Sequence, residues 1–364
     1  MVGARRLGMS KLDSRILLTL AILITTVAYI SLLVMQQSGR RVSQGNSSNI
    51  EEHFKTVPLE RLEVKFFGWV TPDDESVNSF LTNAGKFTWV SPTGSVIDSN
   101  GVFTPRVDNR VVEAARKSNV SIIPLVANSG FDRSLAHRIL TDPEVRRRTI
   151  ESIVSFIVEN NFSGVNIDYE NIPPEDREAL NSYMRELASI LHSHGKIVTI
   201  DVSGKTWDDT SGWGGAWDYR ALGEACDYVC IMCYDYHWSG SEAGPIGPLG
   251  WLREVVQYAL STIPREKIVI GIPFYGYRWL GRNGVGLTFK QALETARSVD
   301  TQVFLSEKDG EYHYSYGSYE VWFQGAKSVE LKASTVLSYG IDKIAAWRVG
   351  QEDPRVWEVI SRKP

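Results

Sequence analysis

From Leu62 onward the chain alternates two patterns. Short runs of consecutive apolar residues read as strands covered on both faces, and stretches with apolar residues every three or four positions read as helices. Eight runs predict strands, at residues 64–70, 87–91, 121–127, 164–170, 196–203, 228–236, 267–275 and 343–347. Helices are predicted at 143–160, 174–194, 250–262 and 353–361. Asp142 followed by Pro143 is a start signal, and Gly195 after His192 and His194 is a stop signal. Eight strands with crossover helices predict an α/β fold, a (β/α)8 TIM barrel spanning 62–364. A doubly wound open sheet is the alternative, but no Gly-x-Gly-x-x-Gly follows the first strand to support a dinucleotide site. Residues 284–339, between the seventh and eighth strands, are too long for an ordinary loop. Within them 301–306 and 311–316 read as a hairpin turning at Asp309-Gly310, so a small α+β insertion beside the barrel mouth is expected.

Ahead of the barrel the pattern changes. Residues 16–35 carry no Asp, Glu, Lys or Arg. At about 1.5 Å per residue such a helix spans about 30 Å, the hydrocarbon thickness of a bilayer. Arg5, Arg6, Lys11 and Arg15 precede it, opposed only by Asp13. This predicts a cytoplasmic tail at 1–15, a transmembrane signal-anchor helix at 16–35 and a polar stalk at 36–61. The protein is then single-pass in the cell membrane with its barrel extracellular. A cleaved signal peptide is the competing reading, although its apolar region is usually shorter and ends in a small-x-small site that residues 32–36 lack.

Composition narrows the function. With 39 Lys and Arg against 43 Asp and Glu, the chain has no basic footprint for a nucleic-acid partner. Three cysteines cannot form a disulfide scaffold. Cys226, Cys230 and Cys233 cluster without converging ligands, so no metal is expected and they read as small core residues. The 11 Trp, 15 Tyr and 13 Phe either fill a large core or line a groove that stacks on sugar rings.

The chemistry concentrates in Gly164-Val165-Asn166-Ile167-Asp168-Tyr169-Glu170. Side chains alternate across a strand, so Asn166, Asp168 and Glu170 share one face. Inside a barrel that face is polar and costly unless it is hydrogen-bonded or functional. Glu170 falls at the C-terminal end, where barrel sites lie, and the Asp168 carboxylate is expected to raise its pKa toward that of a general acid. An exposed strand end with ordinary surface acids is the bland alternative.

This strand resembles the DGxDxDxE signature of glycoside hydrolase family 18, the chitinase-like barrels, with Asn166 where the family usually has Asp and Ser163 replacing the first Asp. Met232-Cys233-Tyr234-Asp235 and Ala346-Trp347-Arg348 resemble the family's sixth- and eighth-strand motifs. The spore-germination and cortex-lytic, SleL-like branch is closer, through Tyr234-Asp235-Tyr236-His237-Trp238, Gly271-Ile272-Pro273, Val321-Trp322-Phe323 and Gly350-Gln351-Glu352-Asp353-Pro354.

The resemblance implies a retaining hydrolase of β-linked N-acetylglucosamine polymers, peptidoglycan favoured over chitin, that needs no cofactor. Catalysis uses the sugar's own acetamido group in place of an enzyme nucleophile. Glu170 is then the proton donor, Asp168 stabilises the acetamido group and Tyr234 orients it. Asn166 holds Asp168 without a further charge, Asp235 bonds sugar or a neighbouring acid, and Trp347 floors the sugar site. Trp69, Trp238 and Trp279, placed near strand ends, are further candidates for touching sugar. His237, after the sixth strand, is expected at the border of the cleft either as a structural hydrogen-bonding residue or as a ligand contact, and the aromatic residues around Trp322 form either a groove wall or the insertion's own core. A catalytically inactive, lectin-like barrel and a structural surface protein are the rival readings. Retention of Glu170, Asp168 and Tyr234 speaks against the first.

Overall fold

The computed structural model describes residues 52–363 together with Ile50. The chain divides into two units, Met1–Lys55 and Thr56–Pro364, and the second carries the fold. The expected tail, the transmembrane segment and much of the stalk lie outside the described residues. Among the described residues no helix is long and apolar enough to cross a membrane.

In chain order the unit runs through β1 (Leu62–Val70), α1 (Asp74–Asn83), β2 (Trp89–Pro92), β3 (Ser95–Ile97), β4 (Phe103–Thr104) and α2 (Asn109–Lys117). It continues with β5 (Ser121–Ile122), β6 (Leu125–Asn128), α3 (Arg133–Thr141), α4 (Pro143–Glu159), β7 (Gly164–Asp168), α5 (Arg177–Ser193) and β8 (Ile197–Ser203). Next come α6 (Tyr219–Ala225), β9 (Tyr228–Met232), α7 (Leu249–Thr262) and β10 (Ile268–Pro273). After β10 follow β11 (Gly276–Leu280), β12 (Asn283–Leu287), α8 (Phe289–Ser298), β13 (Phe304–Ser306), β14 (Glu311–Tyr316), β15 (Tyr319–Phe323) and α9 (Ala326–Ser338). The chain then adds β16 (Lys343–Trp347), α10 (Val356–Val359) and β17 (Ile360–Arg362).

Parallel pairing in the order β6-β7-β8-β9-β10-β16-β1-β2-β5 curls the sheet around an axis. The sheet runs on from β6 to β3 and β4, and β6 and β5, the first and last strands of the staved order, are consecutive in the chain, separated by Ile123-Pro124. Ile123 N–H donates to Val90 on one side, and Pro124 C=O accepts from Asn166 N–H on the other. One kinked segment, 121–128, thus serves as the third of eight staves and closes the barrel. Helices cover the outside. Asp142 caps α4 by accepting from the N–H groups of Glu144 and Val145, with Pro143 at the first position.

The alternation along β7 sorts as expected. Val165, Ile167 and Tyr169 face the helices and pack with Leu180, Met184 and Leu187 of α5, while Asn166 and Asp168 point to the axis. The axial core is Phe67, Trp69, Trp89, Leu125, Ala127, Cys230, Val269 and Ala345. Gly271 on β10 leaves room there. A Cβ at this position would meet the Trp69 ring at 3.2 Å and the Tyr234 ring at 3.4 Å.

Several boundaries differ from expectation. β7 ends at Asp168 and β9 at Met232, so Glu170, Tyr234 and Asp235 stand on loops at the mouth. The insertion begins earlier than 284. Its five-stranded antiparallel sheet, in the order β12-β11-β15-β14-β13, starts at Gly276, because β11 turns back directly from the seventh stave to pair with β15. The expected hairpin is present, with Phe304 opposite His313 and Ser306 opposite Glu311. The helix expected over 353–361 is only Val356–Val359, and Ile360–Arg362 turns into a strand beside β1. Cys226, Cys230 and Cys233 are free and buried.

Candidate active site

At the C-terminal mouth the staves deliver four carboxyl groups to one place. Asp168 closes β7, and Glu170 follows it on the loop. Asp201 comes from β8, and Asp235 follows β9.

The Glu170 backbone is clamped by Asn128 at the end of β6. Asn128 Oδ1 accepts from Glu170 N–H at 2.9 Å, and its Nδ2 donates to Glu170 C=O at 3.1 Å. The Glu170 side chain is half-buried. Burial first, then the charges of Asp168 and Asp235, push its carboxyl up to about 8. The expectation named only Asp168, but removal from water is the larger cause. A carboxyl in that range keeps its proton at neutral pH and can donate it.

Asp168 is buried, and burial raises its carboxyl to about 7. Its Oδ1 is sealed from water without a hydrogen-bond partner. Asn166 does not hold it, which corrects the role expected from the sequence. The Thr199 hydroxyl of β8 donates to Asn166 Oδ1, and this turns the amide Nδ2 toward Asp201 Oδ2, 2.7 Å away. The same Asp201 oxygen accepts from Trp69 Nε1 at 3.1 Å. Asp201 itself is 2% exposed and raised well above the ordinary carboxylate range by burial, then by Asp168.

Tyr234 is enclosed. Burial and the surrounding carboxylates raise its phenol, so it stays a hydroxyl that can donate. Asp235 has a positive φ of 58° and reaches solvent at the rim. Its Oδ1 accepts from the hydroxyls of Tyr275 and Tyr277, the latter at 3.1 Å. Tyr277 belongs to β11, so the insertion sheet reaches the site.

Trp347 is half-exposed, its ring set edgewise 6.1 Å from that of Trp69. Trp238 is 52% exposed, with its C=O accepting from Trp279 Nε1 at 3.1 Å. Trp69 and Trp279 are corrections. Both rings are sealed, so neither offers a face to a sugar, and Trp279 lies on β11 rather than on the seventh stave. His237 Nδ1 sits 3.1 Å from Glu242 C=O. Of the insertion's aromatic residues, Tyr312, Tyr314 and Phe323 are buried in its own core, while His313 stacks on Trp322 at 4.5 Å.

Asp201 and Asn128 were missed in the sequence. The signal for Asp201 was available. Thr199, Asp201 and Ser203 alternate along β8 as Asn166 and Asp168 do along β7. Among the described residues no His, Cys, Asp and Glu group is placed to hold a metal ion.

The family model for "Glycosyl hydrolases family 18" matches residues 74–352. The cortical fragment-lytic enzyme of Bacillus subtilis (strain 168) is 28% identical over 324 residues, covering 84% of this chain and 75% of that protein. The crystal structure of the Bacillus cereus spore cortex-lytic enzyme SleL superposes with a TM-score of 0.76 at 25% identity, over 82% of this chain and 74% of that one. The chitinase from Chromobacterium violaceum ATCC 12472 gives 0.76 and 25% as well, over 81% of this chain and 97% of that one.

Proposed function

Because the chain belongs to glycosyl hydrolases family 18, we propose that it is a retaining, substrate-assisted hydrolase of β-linked N-acetylglucosamine polymers, with peptidoglycan its preferred substrate. The observation that carries this reading is the half-buried Glu170, its carboxyl pushed up to about 8, beside the buried Asp168 at the barrel mouth. In the proposed first step the acetamido oxygen of the bound sugar attacks its own anomeric carbon. Glu170 gives its proton to the leaving glycosidic oxygen as that bond breaks. The Tyr234 hydroxyl donates to the attacking oxygen, and this orientation lowers the entropic part of the barrier. Asp168, its other oxygen facing the ligand, accepts from the acetamido N–H and offsets the positive charge of the ring that forms. In the second step Glu170 takes a proton from water, which opens that ring with the original anomeric configuration. Trp347 lies under the sugar, and Trp238 with the exposed Trp207 and Trp213 offers ring faces farther out.

Preference for peptidoglycan over chitin is drawn from the cortex-lytic relatives. Chitin oligomers are the second reading, favoured by the equal TM-score of the Chromobacterium chitinase. The charge-free run at 16–35 and its basic flank support an anchored protein with the barrel outside the cell.

The test is incubation of the protein with muropeptides and with chitin oligomers, beside Glu170→Gln. Turnover of muropeptides that the variant loses supports the reading. Turnover of chitin oligomers alone selects the second one. Glycan binding without any turnover contradicts both and supports a lectin-like barrel.

A further inference from the structure

Asp201 belongs to none of the motifs that mark the site, yet it is the most deeply buried of the four carboxyls. Three observations define its state. First, the β7–β8 register sets Asn166 against Thr199 and Ile167 against Ile200. The next step along the mouth sets Asp168 against Asp201, both pointing to the axis on staves about 4.8 Å apart. Second, Asp201 Oδ2 already accepts from two N–H donors, Asn166 Nδ2 and Trp69 Nε1. Such an oxygen holds negative charge and has no place for a proton. Third, the remaining oxygens, Asp201 Oδ1 and Asp168 Oδ1, are both sealed from water and both lack a partner. Two buried acceptors on adjoining staves, each without a donor, would cost several kcal/mol, and one proton between them removes that cost for both.

We propose that Asp168 and Asp201 share a single proton between their Oδ1 atoms, and that Asp201 is thereby a positioning residue for Asp168. The pair carries one negative charge, and that charge is available to the substrate through the second oxygen of Asp168. The groups facing Asp201 are consistent with this. β1 supplies Trp69, β7 supplies Asn166 and Asp168, and the following loop supplies Glu170. β9 supplies Cys230 and its loop Tyr234, both with pKa values raised by burial and by Asp201. No cation is among them, so a proton is what can relieve the repulsion. The Asn at position 166 fits the same scheme. Its amide keeps Asp201 Oδ2 unprotonated and so directs the proton to Oδ1.

The test is infrared difference titration, variant against parent, of the protonated carboxyl C=O stretch in the whole protein, in a Glu170→Gln background that removes the acid raised to about 8. Asp235, Glu352 and Asp353, whose carboxyls burial also raises, are common to every variant and cancel in the difference. The expected result is one protonated carboxyl at neutral pH that disappears in Asp201→Asn and also in Asp168→Asn. In each variant the new amide donates to the surviving carboxylate and no proton is needed. A band that survives in either variant, or that is absent from the Glu170→Gln protein, overturns the proposal. This readout needs no turnover and so stands apart from the hydrolase reading. With Glu170 intact, and resting on that reading, the acid limb of kcat/KM in Asp201→Asn should move down by about one pH unit, because Asp168 ionises without a carboxylate neighbour. An unmoved limb with preserved turnover also overturns it. Loss of turnover on every substrate in the parent protein would sink the hydrolase reading while leaving the infrared result standing.

Discussion

Asn166 donates its amide to Asp201, 2.7 Å away on the next stave, while Asp168, two residues along its own strand, is left with an unpartnered Oδ1. The Asn that departs from the family signature is therefore matched by an acid on β8. Asn166→Asp should replace the donor with a second acceptor. The expected cost is about 1.5–3 kcal/mol of stability, the worth of a hydrogen bond to a charged group. The swap Asn166→Asp with Asp201→Asn restores a donor–acceptor pair and should recover most of that loss. Urea unfolding of the two single variants and the double variant measures the coupling, and strictly additive losses would contradict the pairing.

Glu170 should link activity and stability to pH in opposite senses from an ordinary carboxylate. Its folded pKa lies near 8, above the unfolded value of 4.5. The folded state therefore binds more protons between those values, and stability is full below about pH 4.5 and declines as pH rises through 8. Glu170→Gln should raise unfolding stability at pH 8 by roughly 1–3 kcal/mol while lowering kcat by roughly 10²–10⁴-fold. Wild-type kcat/KM should fall above pH 8. A variant as stable as wild type across pH 5–9 would contradict the raised pKa.

Asn128 holds Glu170 by its main chain only, so Asn128→Ala separates placement from chemistry. Freed of both hydrogen bonds, the Glu170 loop should shift. A kcat lower by roughly 10–100-fold with KM little changed is expected, because small misplacements of a catalytic group are costly. A rise in KM alone would assign Asn128 to substrate binding instead.

Much of this fold was legible because its staves are buried on both faces and read as unbroken apolar runs. The polar residues of β7 stood out against that background, and with them Asp168 and Glu170. Asp201 was as visible in composition but not in significance, because its importance depends on a register between β7 and β8 that no local pattern encodes. Trp279 was misplaced for a related reason. The apolar run over 267–275 gives no sign that the chain reverses at Gly276 into a second sheet. The Gly350-Gln351-Glu352-Asp353-Pro354 motif has a structural role here. Glu352 accepts from Ser79, from Gly350 N–H and from Trp357 Nε1, and Asp353 accepts from Ala326 N–H at the start of α9.

The insertion is tied down by a buried ion pair that the sequence did not reveal. Glu311 on β14 accepts from Lys332 Nζ of α9 at 3.0 Å and from the N–H groups of Ile246 and Gly247 at 2.7 Å each. Lys332→Met strands a buried carboxylate and should cost about 3–5 kcal/mol. Adding Glu311→Gln should return part of it, measured by thermal unfolding. A single variant as stable as wild type would show that the pair contributes nothing.

The most direct measurement is the anomeric form of the first product, followed by proton NMR during early turnover of a β-linked N-acetylglucosamine oligomer. Attack by the substrate's own acetamido group followed by water requires two inversions. The β-anomer should therefore appear first and mutarotate later to the equilibrium mixture. Initial release of the α-anomer would contradict acetamido participation and the role given to Asp168.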